Sequence, residues 1–98
     1  MPVQVKLPAM LRPHVGGAKV VEASAGPLGD VLEGLAERYP GLKGQFFSEE
    51  GSLHRFVNVY INDEDVRYLE NLDTKVAEGD VVAVLPAVAG GGPAWPGQ

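Results

Sequence analysis

The clearest pattern in the chain lies at residues 56–61, where Val57, Val59 and Ile61 alternate with Phe56, Asn58 and Tyr60. A period of two puts these sets on opposite faces of a strand, and β-branched and aromatic residues suit such a half-buried surface. The same alternation of Val3, Val5 and Leu7 with Gln4 and Lys6 predicts a first strand ending at Pro8. After a stretch containing Pro13 and the Gly16-Gly17 pair, which tolerates the positive φ of a reversal, residues 18–23 return as the second leg of a hairpin. From Pro27 the period changes. Leu28, Val31, Leu32 and Leu35 fall on one face of a helix, Asp30, Glu33, Glu37 and Arg38 fall largely on the other, and Tyr39-Pro40-Gly41 supplies a stop, so the helix spans about residues 27–39. Residues 41–53 carry no clean period and read as a long connection from which Phe46 and Phe47 tuck under the sheet. Asn62 to Asp65 make a turn, residues 66–69 a short returning strand, and residues 70–79 a loop. Val81 to Leu85 form a last strand, apolar on both faces and therefore central.

The order is strand, strand, helix, strand, short strand, strand. One helix covers one face of one sheet, and the last strand returns to the middle beside the first. This is an α+β chain with the β-grasp, ubiquitin-like arrangement: a mixed sheet of about five strands, one main helix and a flexible C-terminal tail. The expected domain is residues 1–87, with the tail at 88–98.

Composition narrows the function. At 98 residues, one compact core is possible but not one core plus a large enclosed active site. Eight Lys and Arg against 13 Asp and Glu give a net charge of −5, with no basic run to meet a phosphate backbone, so no nucleic-acid partner is expected. The absence of Cys excludes disulfides, thiolate metal sites and Cys nucleophiles from the chain itself, and any sulfur chemistry must use another atom. Residues 1–6 lack the pattern of a secretory leader, and no apolar stretch approaches the roughly 20 residues of a membrane span. The expectation is a cytoplasmic protein with no membrane partner.

The chemistry points to the tail. Of residues 90–98, four are Gly and two are Pro, a composition unsuited to regular packing. Such an arm is either a frayed terminus or a functional one. A Gly pair has no Cβ to block a narrow channel, so a partner enzyme can draw its carbonyl or terminal carboxylate into an active site.

His54 to Arg67, followed by Leu85-Pro86-Ala87-Val88-Ala89-Gly90-Gly91, resembles the ubiquitin-like sulfur carrier proteins of the ThiS and MoaD type, above all the actinobacterial carriers of cysteine biosynthesis. The likeness also covers Leu11-Arg12-Pro13-His14 with Gly16-Gly17, and so spans most of residues 1–91. It implies a carrier rather than an enzyme. An E1-like enzyme uses ATP to adenylate the terminal glycine carboxylate, with AMP transiently on Gly91, and a sulfur donor displaces AMP to leave a thiocarboxylate. In this reading Gly91 carries the sulfur, Gly90 gives the slender approach, and the carrier binds no cofactor of its own. The acceptor is expected on a pyridoxal-phosphate cysteine synthase or another biosynthetic sulfur-transfer enzyme. The sequence departs from the family in continuing as Gly92-Pro93-Ala94-Trp95-Pro96-Gly97-Gln98. A carbonyl inside a peptide bond has no carboxylate to adenylate. Residues 92–98 are therefore expected to be an extension trimmed between Gly91 and Gly92 by a JAMM-type metalloprotease. The alternatives are a segment added in cloning, or a true end at Gly92.

Phe56 and Tyr60, opposite the Val57, Val59 and Ile61 set, form either a docking patch on the open sheet face or a surface buried under residues 41–53. The resemblance favours docking, and Leu85, Val88 and Ala89, which lead into the diglycine, are expected to share in partner contact. His14 and His54 lack metal-site spacing, and no metal site is expected. Asp63, Glu64 and Asp65 read as a solvated turn. Two other classes stay open: a modifier joined to lysines through the same glycine, and a non-covalent binding module.

Overall fold

The computed structural model describes residues 2–54, 57–88 and 92–93. Strand β1, Val3–Lys6, pairs antiparallel with β2, Val20–Ala23, setting Val3 opposite Ala23 and Lys6 opposite Val20. The residues between these strands do not wander as a loop. Ala9–Val15 winds as a 3₁₀ helix that buries Leu11 and Val15, and Gly16 and Gly17 then reverse the chain at φ of 69° and 87°. The side chain of Arg12 ties this segment back, its Nε donating to the Leu7 carbonyl at 3.2 Å.

A two-residue strand β3, Gly26–Pro27, leads into helix α1, Leu28–Arg38, close to its predicted bounds. Leu28, Val31, Leu32 and Leu35 are all buried, as the spacing requires. No side chain caps the helix start. Instead the Leu28 N–H donates to the Thr74 carbonyl at 2.8 Å, and β3 pairs with β6, Lys75–Val76, within the stretch expected to be a loop. After α1 come a 3₁₀ turn, Pro40–Leu42, and a single-turn helix α2, Lys43–Phe46. They seat Leu42 and Phe46 fully inside the core, so the expected tuck of Phe46 is realised, while Phe47 is half-buried. Gly41 lies close under the exposed His14 ring: a Cβ on it would stand 2.5 Å from His14 Nδ1, so the ring would have to swing aside.

Strand β4 is Val57–Ile61. The hairpin that follows is tighter than expected. Asn62 and Asp63 both take positive φ, 48° and 72°, closing the turn in two residues, so the return strand β5 is the polar pair Glu64–Asp65. The expected strand at 66–69 is therefore corrected: Val66–Tyr68 is a 3₁₀ turn, capped by Asp65 Oδ1 accepting from the Arg67 N–H at 2.9 Å, and Val66 drops into the core. Strand β7 runs Val81–Val88, three residues beyond its expected end, and β8, Gly92–Pro93, pairs back on it antiparallel.

The sheet order is β2-β1-β7-β4-β5, with β8 paired to β7 off this path. β7 lies parallel to β1 and antiparallel to β4, which makes it the central strand, as its apolar run implied. Val3, Val5, Val59, Val82 and Val84 on one sheet face meet α1 and Phe46 in a single core.

Candidate functional site: the open sheet face and the end of β7

The face away from α1 is read off by alternation. Strand pairing aligns Val20, Lys6, Ala83, Tyr60 and Asp65 in one row across all five strands. Leu85 stands opposite Asn58 in the next row toward the end of β7. The face is mixed in chemistry. Lys6 and Gln4 are exposed, Val20 is 42% exposed, and Val81, Ala83, Leu85 and Tyr60 are half-buried. Burial, and then the negative charge of Asp65, push the Tyr60 hydroxyl above the ordinary phenol range, Arg67 pulling weakly the other way. Tyr60 therefore stays a neutral, amphipathic ring at physiological pH.

One polar side chain on this face is covered. Asn58 is only 4% exposed, because the Arg67 guanidinium lies across the start of β4. Arg67 Nη1 donates to Asn58 Oδ1, and Nη2 donates to the Val57 carbonyl at 3.0 Å. This planar fork pins the strand where it enters the sheet. The alternation placed Asn58 outward correctly but carried no signal for its cover, which comes from nine residues further on.

At the far end of β7 the sheet opens into a groove of about 230 Å³. Pro8, Met10 and Leu11 of the first 3₁₀ segment form one wall, and Val84, Leu85 and Pro86 the other, with His54 and Gln45 at its polar margin. Met10 is 62% exposed. The groove exists because β1 leaves the sheet at Lys6, opposite Ala83, while β7 continues to Val88. Nothing in the sequence marks it, since Met10 and Leu11 fall in a stretch without a period.

The expected site residues divide accordingly. Tyr60 and Leu85 lie on one face in neighbouring rows, and Leu85 also lines the groove. Val88 belongs to β7 and stands opposite Gly92, the residue after the expected processing bond. Phe56, Ala89, Gly90 and Gly91 lie outside the described residues. Among the described residues, no group of three or more His, Asp or Glu side chains could hold a metal ion, and no helix is long and apolar enough to cross a membrane. Asp63, Glu64 and Asp65 occupy the tight turn and the strand leaving it.

A mixed five-stranded path with β7 at its centre, one covering helix and a chain end leaving from that central strand define the ubiquitin-like β-grasp class. The chain matches the ThiS family over residues 5–91 and belongs to it. Sulfur carrier protein CysO of Mycobacterium tuberculosis is 52% identical over 93 residues, covering 93% of this chain and 100% of the relative. The crystal structure of the Amycolatopsis orientalis BexX/CysO complex contains a chain that superposes with a TM-score of 0.83 at 46% identity, covering 91% of this chain and 99% of that one. Small archaeal modifier protein 1 of Methanosarcina acetivorans matches at TM-score 0.77 and 37% identity, over 91% of this chain and 95% of that one. The protein is thus a CysO-like member of a family of small ubiquitin-like carriers.

Proposed function

We propose that this chain is a cytoplasmic sulfur carrier that works as a thiocarboxylate on Gly91, serving as substrate for its partner enzymes and catalysing nothing itself. The observation that carries the reading is the nearness of two ends along the chain: the family match stops on Gly91, and the central strand β7 ends three residues before it, at Val88. A β-grasp domain then acts as a handle, and its glycine end as the reactive group.

The chemistry balances with the partners supplying the energy. Hydrolysis of the Gly91–Gly92 bond by a JAMM-type metalloprotease releases residues 92–98 and leaves the Gly91 carboxylate. In the active site of an E1-like enzyme, a carboxylate oxygen attacks the α-phosphorus of ATP, an O–P bond forms and pyrophosphate leaves. Hydrosulfide attacks the acyl carbon, the C–O bond to AMP breaks, AMP leaves, and the thiocarboxylate remains. Its sulfur is nucleophilic and adds to an electrophilic acceptor, and hydrolysis of the resulting acyl–sulfur bond returns the Gly91 carboxylate and leaves the sulfur on the acceptor. The likeness to CysO favours an acceptor held on a pyridoxal-phosphate cysteine synthase, and the likeness to a CysO found in complex with BexX favours a biosynthetic sulfur-transfer enzyme. Tyr60 and Leu85 on the open face, with Phe56, Val88 and Ala89, are the residues through which we expect those partners to dock.

Kinship with small archaeal modifier proteins supports a second reading, in which the same activated glycine is joined to lysine amines of other proteins. One measurement separates the two. Intact mass of the chain is followed in an extract of its host with ATP and sulfide. Loss of residues 92–98 followed by exchange of one oxygen for sulfur supports the carrier; covalent ladders on other proteins support the modifier. An unchanged mass, both for the full chain and for a chain ending at Gly91, overturns both and leaves a non-covalent binding module.

A further inference from the structure

The strand order has two edges, and they differ. β5 is two residues long and acidic, and the chain leaves it at once into the 3₁₀ turn at Val66–Tyr68. β2, at the other end, is four residues long, and a free edge of that length invites another strand. In an antiparallel ladder, alternate residues turn their peptide groups toward the neighbouring strand and away from it. The Leu7 N–H donates to the Lys19 carbonyl at 2.9 Å, and by the same register Val21 and Ala23 also face β1. Val20 and Glu22 therefore turn their N–H and C=O groups outward, to the edge.

One of these outward groups is taken. Arg38, in the last turn of α1, reaches to the side of the sheet, and its Nη1 donates to the Glu22 carbonyl at 2.7 Å. The guanidinium is also held from behind. Its Nη2 donates to the Tyr39 hydroxyl at 3.5 Å, and its central carbon stands 5.3 Å from the centre of the Tyr39 ring. Tyr39 itself packs against the core, so the guanidinium rests on a fixed support.

The strand that best matches this edge is a second β2. A two-fold pairing centred on Val21 sets Val20 of each copy opposite Glu22 of the other, with Val21 opposite Val21. Each Val20–Glu22 pair then exchanges both its backbone bonds, one of them ending on the Glu22 carbonyl. Centring on Glu22 would oppose two carboxylates, and centring on Val20 would need the Ala18 N–H, which donates to the Val15 carbonyl at 3.4 Å. We propose that Arg38 is an edge guard: by occupying the Glu22 carbonyl it closes β2 to strand addition by a second copy and keeps the chain a monomer. The guard works whether or not the chain carries sulfur.

Sedimentation velocity over a concentration series tests the guard, with circular dichroism as the control for folding and enough salt to screen the net charge of −5. The parent chain is expected to sediment as a monomer throughout. Arg38→Met removes the donors but keeps the stem, and is expected to strengthen self-association about 100-fold, roughly tenfold for each of the two carbonyls freed. Adding Val20→Pro to Arg38→Met removes an outward N–H that makes no bond to β1, and is expected to restore the monomer. Val20→Glu, at a side chain already 42% exposed, sets like charges opposite each other and is expected to do the same without altering the backbone. A natively folded Arg38→Met chain that stays monomeric overturns the proposal. So does a parent chain that already dimerises through this edge, and so does association that survives both Val20 substitutions, which places the contact elsewhere.

Discussion

The same strands build both faces of the sheet, yet the two faces do different work. Toward α1, Val3, Val5, Val59, Val82 and Val84 are sealed with Leu28, Leu32 and Leu35 in one apolar cluster. On the other side, one residue along each strand, stand Gln4, Lys6, Tyr60, Ala83 and Leu85, partly wet and chemically mixed. The first face holds stability, since apolar burial is the dominant favourable term in folding. The second face is free of that duty except at Asn58, where Arg67 replaces hydrophobic cover by hydrogen bonds. Under the proposed function this division has a use: the open face is available for recognition while the helix face keeps the domain folded.

The largest expected effect belongs to neither face. Gly90→Val is expected to abolish adenylation of a chain ending at Gly91, because a branched side chain cannot follow glycine through a narrow channel, while thermal unfolding stays at the parent value. ATP–pyrophosphate exchange with the activating enzyme measures it, and undiminished exchange would refute the channel argument. On the helix face, Leu32→Ala removes a fully buried side chain and is expected to cost about 2–5 kcal/mol by chemical denaturation. Whatever fraction remains folded should still be activated at the parental rate. If activation falls further than the folded fraction does, the helix face is not confined to stability.

Arg67→Ala tests the exception on the open face. It leaves Asn58 Oδ1 and the Val57 carbonyl without these partners near the sheet interior, at an expected cost of about 1–3 kcal/mol. Arg67→Lys is expected to recover little, since an ammonium cannot reproduce the fork to two acceptors. Full recovery in urea denaturation would show that charge rather than geometry holds the start of β4.

What was legible in the sequence follows from length. β1, α1 and β4 each repeat their period over four or more residues and lie where it placed them, and β7 follows from its continuous apolar run, although it extends three residues further than expected. The two-residue strands β3, β5, β6 and β8 hold no period, so they were invisible. The strand expected at 66–69 shows the cost of this. Val66 looked like the apolar member of a returning strand, but Asn62 and Asp63 close the hairpin so early that the return is made by two acidic residues. Of the candidate site, Tyr60 was placed by parity within its own strand, whereas Leu85 joins it on the same face through the register between β4 and β7, which the sequence does not show. The groove was missed because it joins segments far apart in sequence, and the Arg67–Asn58 contact because it depends on how a polar side chain folds back across a hairpin, which no hydrophobic pattern encodes.

The smallest effect lies at the turn that fixes how the two faces are aligned. Asn62 joins the β4–β5 hairpin to the start of β7: its Oδ1 accepts from the Val81 N–H at 3.0 Å, and its Nδ2 donates to Asp80 Oδ1 at 3.1 Å. Asp80 Oδ2 accepts from the Ala77 N–H at 2.9 Å. The Ala77 N–H first, and Asn62 second, hold the Asp80 carboxyl below its ordinary value of 3.8. A carboxylate held low in the folded state contributes stability that is present above its unfolded value and lost as pH falls through the folded one. Stability should therefore decline below about pH 4, in the ordinary aspartate range. In Asp80→Asn this share of the decline is missing, and the amide has one acceptor oxygen where the carboxylate has two, so either Asn62 Nδ2 or the Ala77 N–H loses its acceptor. The variant is thus expected to be less stable at neutral pH, with the gap to the parent closing as pH falls. Urea midpoints measured for both chains down the acid range decide it, since the other carboxylates titrate in both and cancel. A gap that stays constant would mean that Asp80 acts as a hydrogen-bond acceptor whatever its charge.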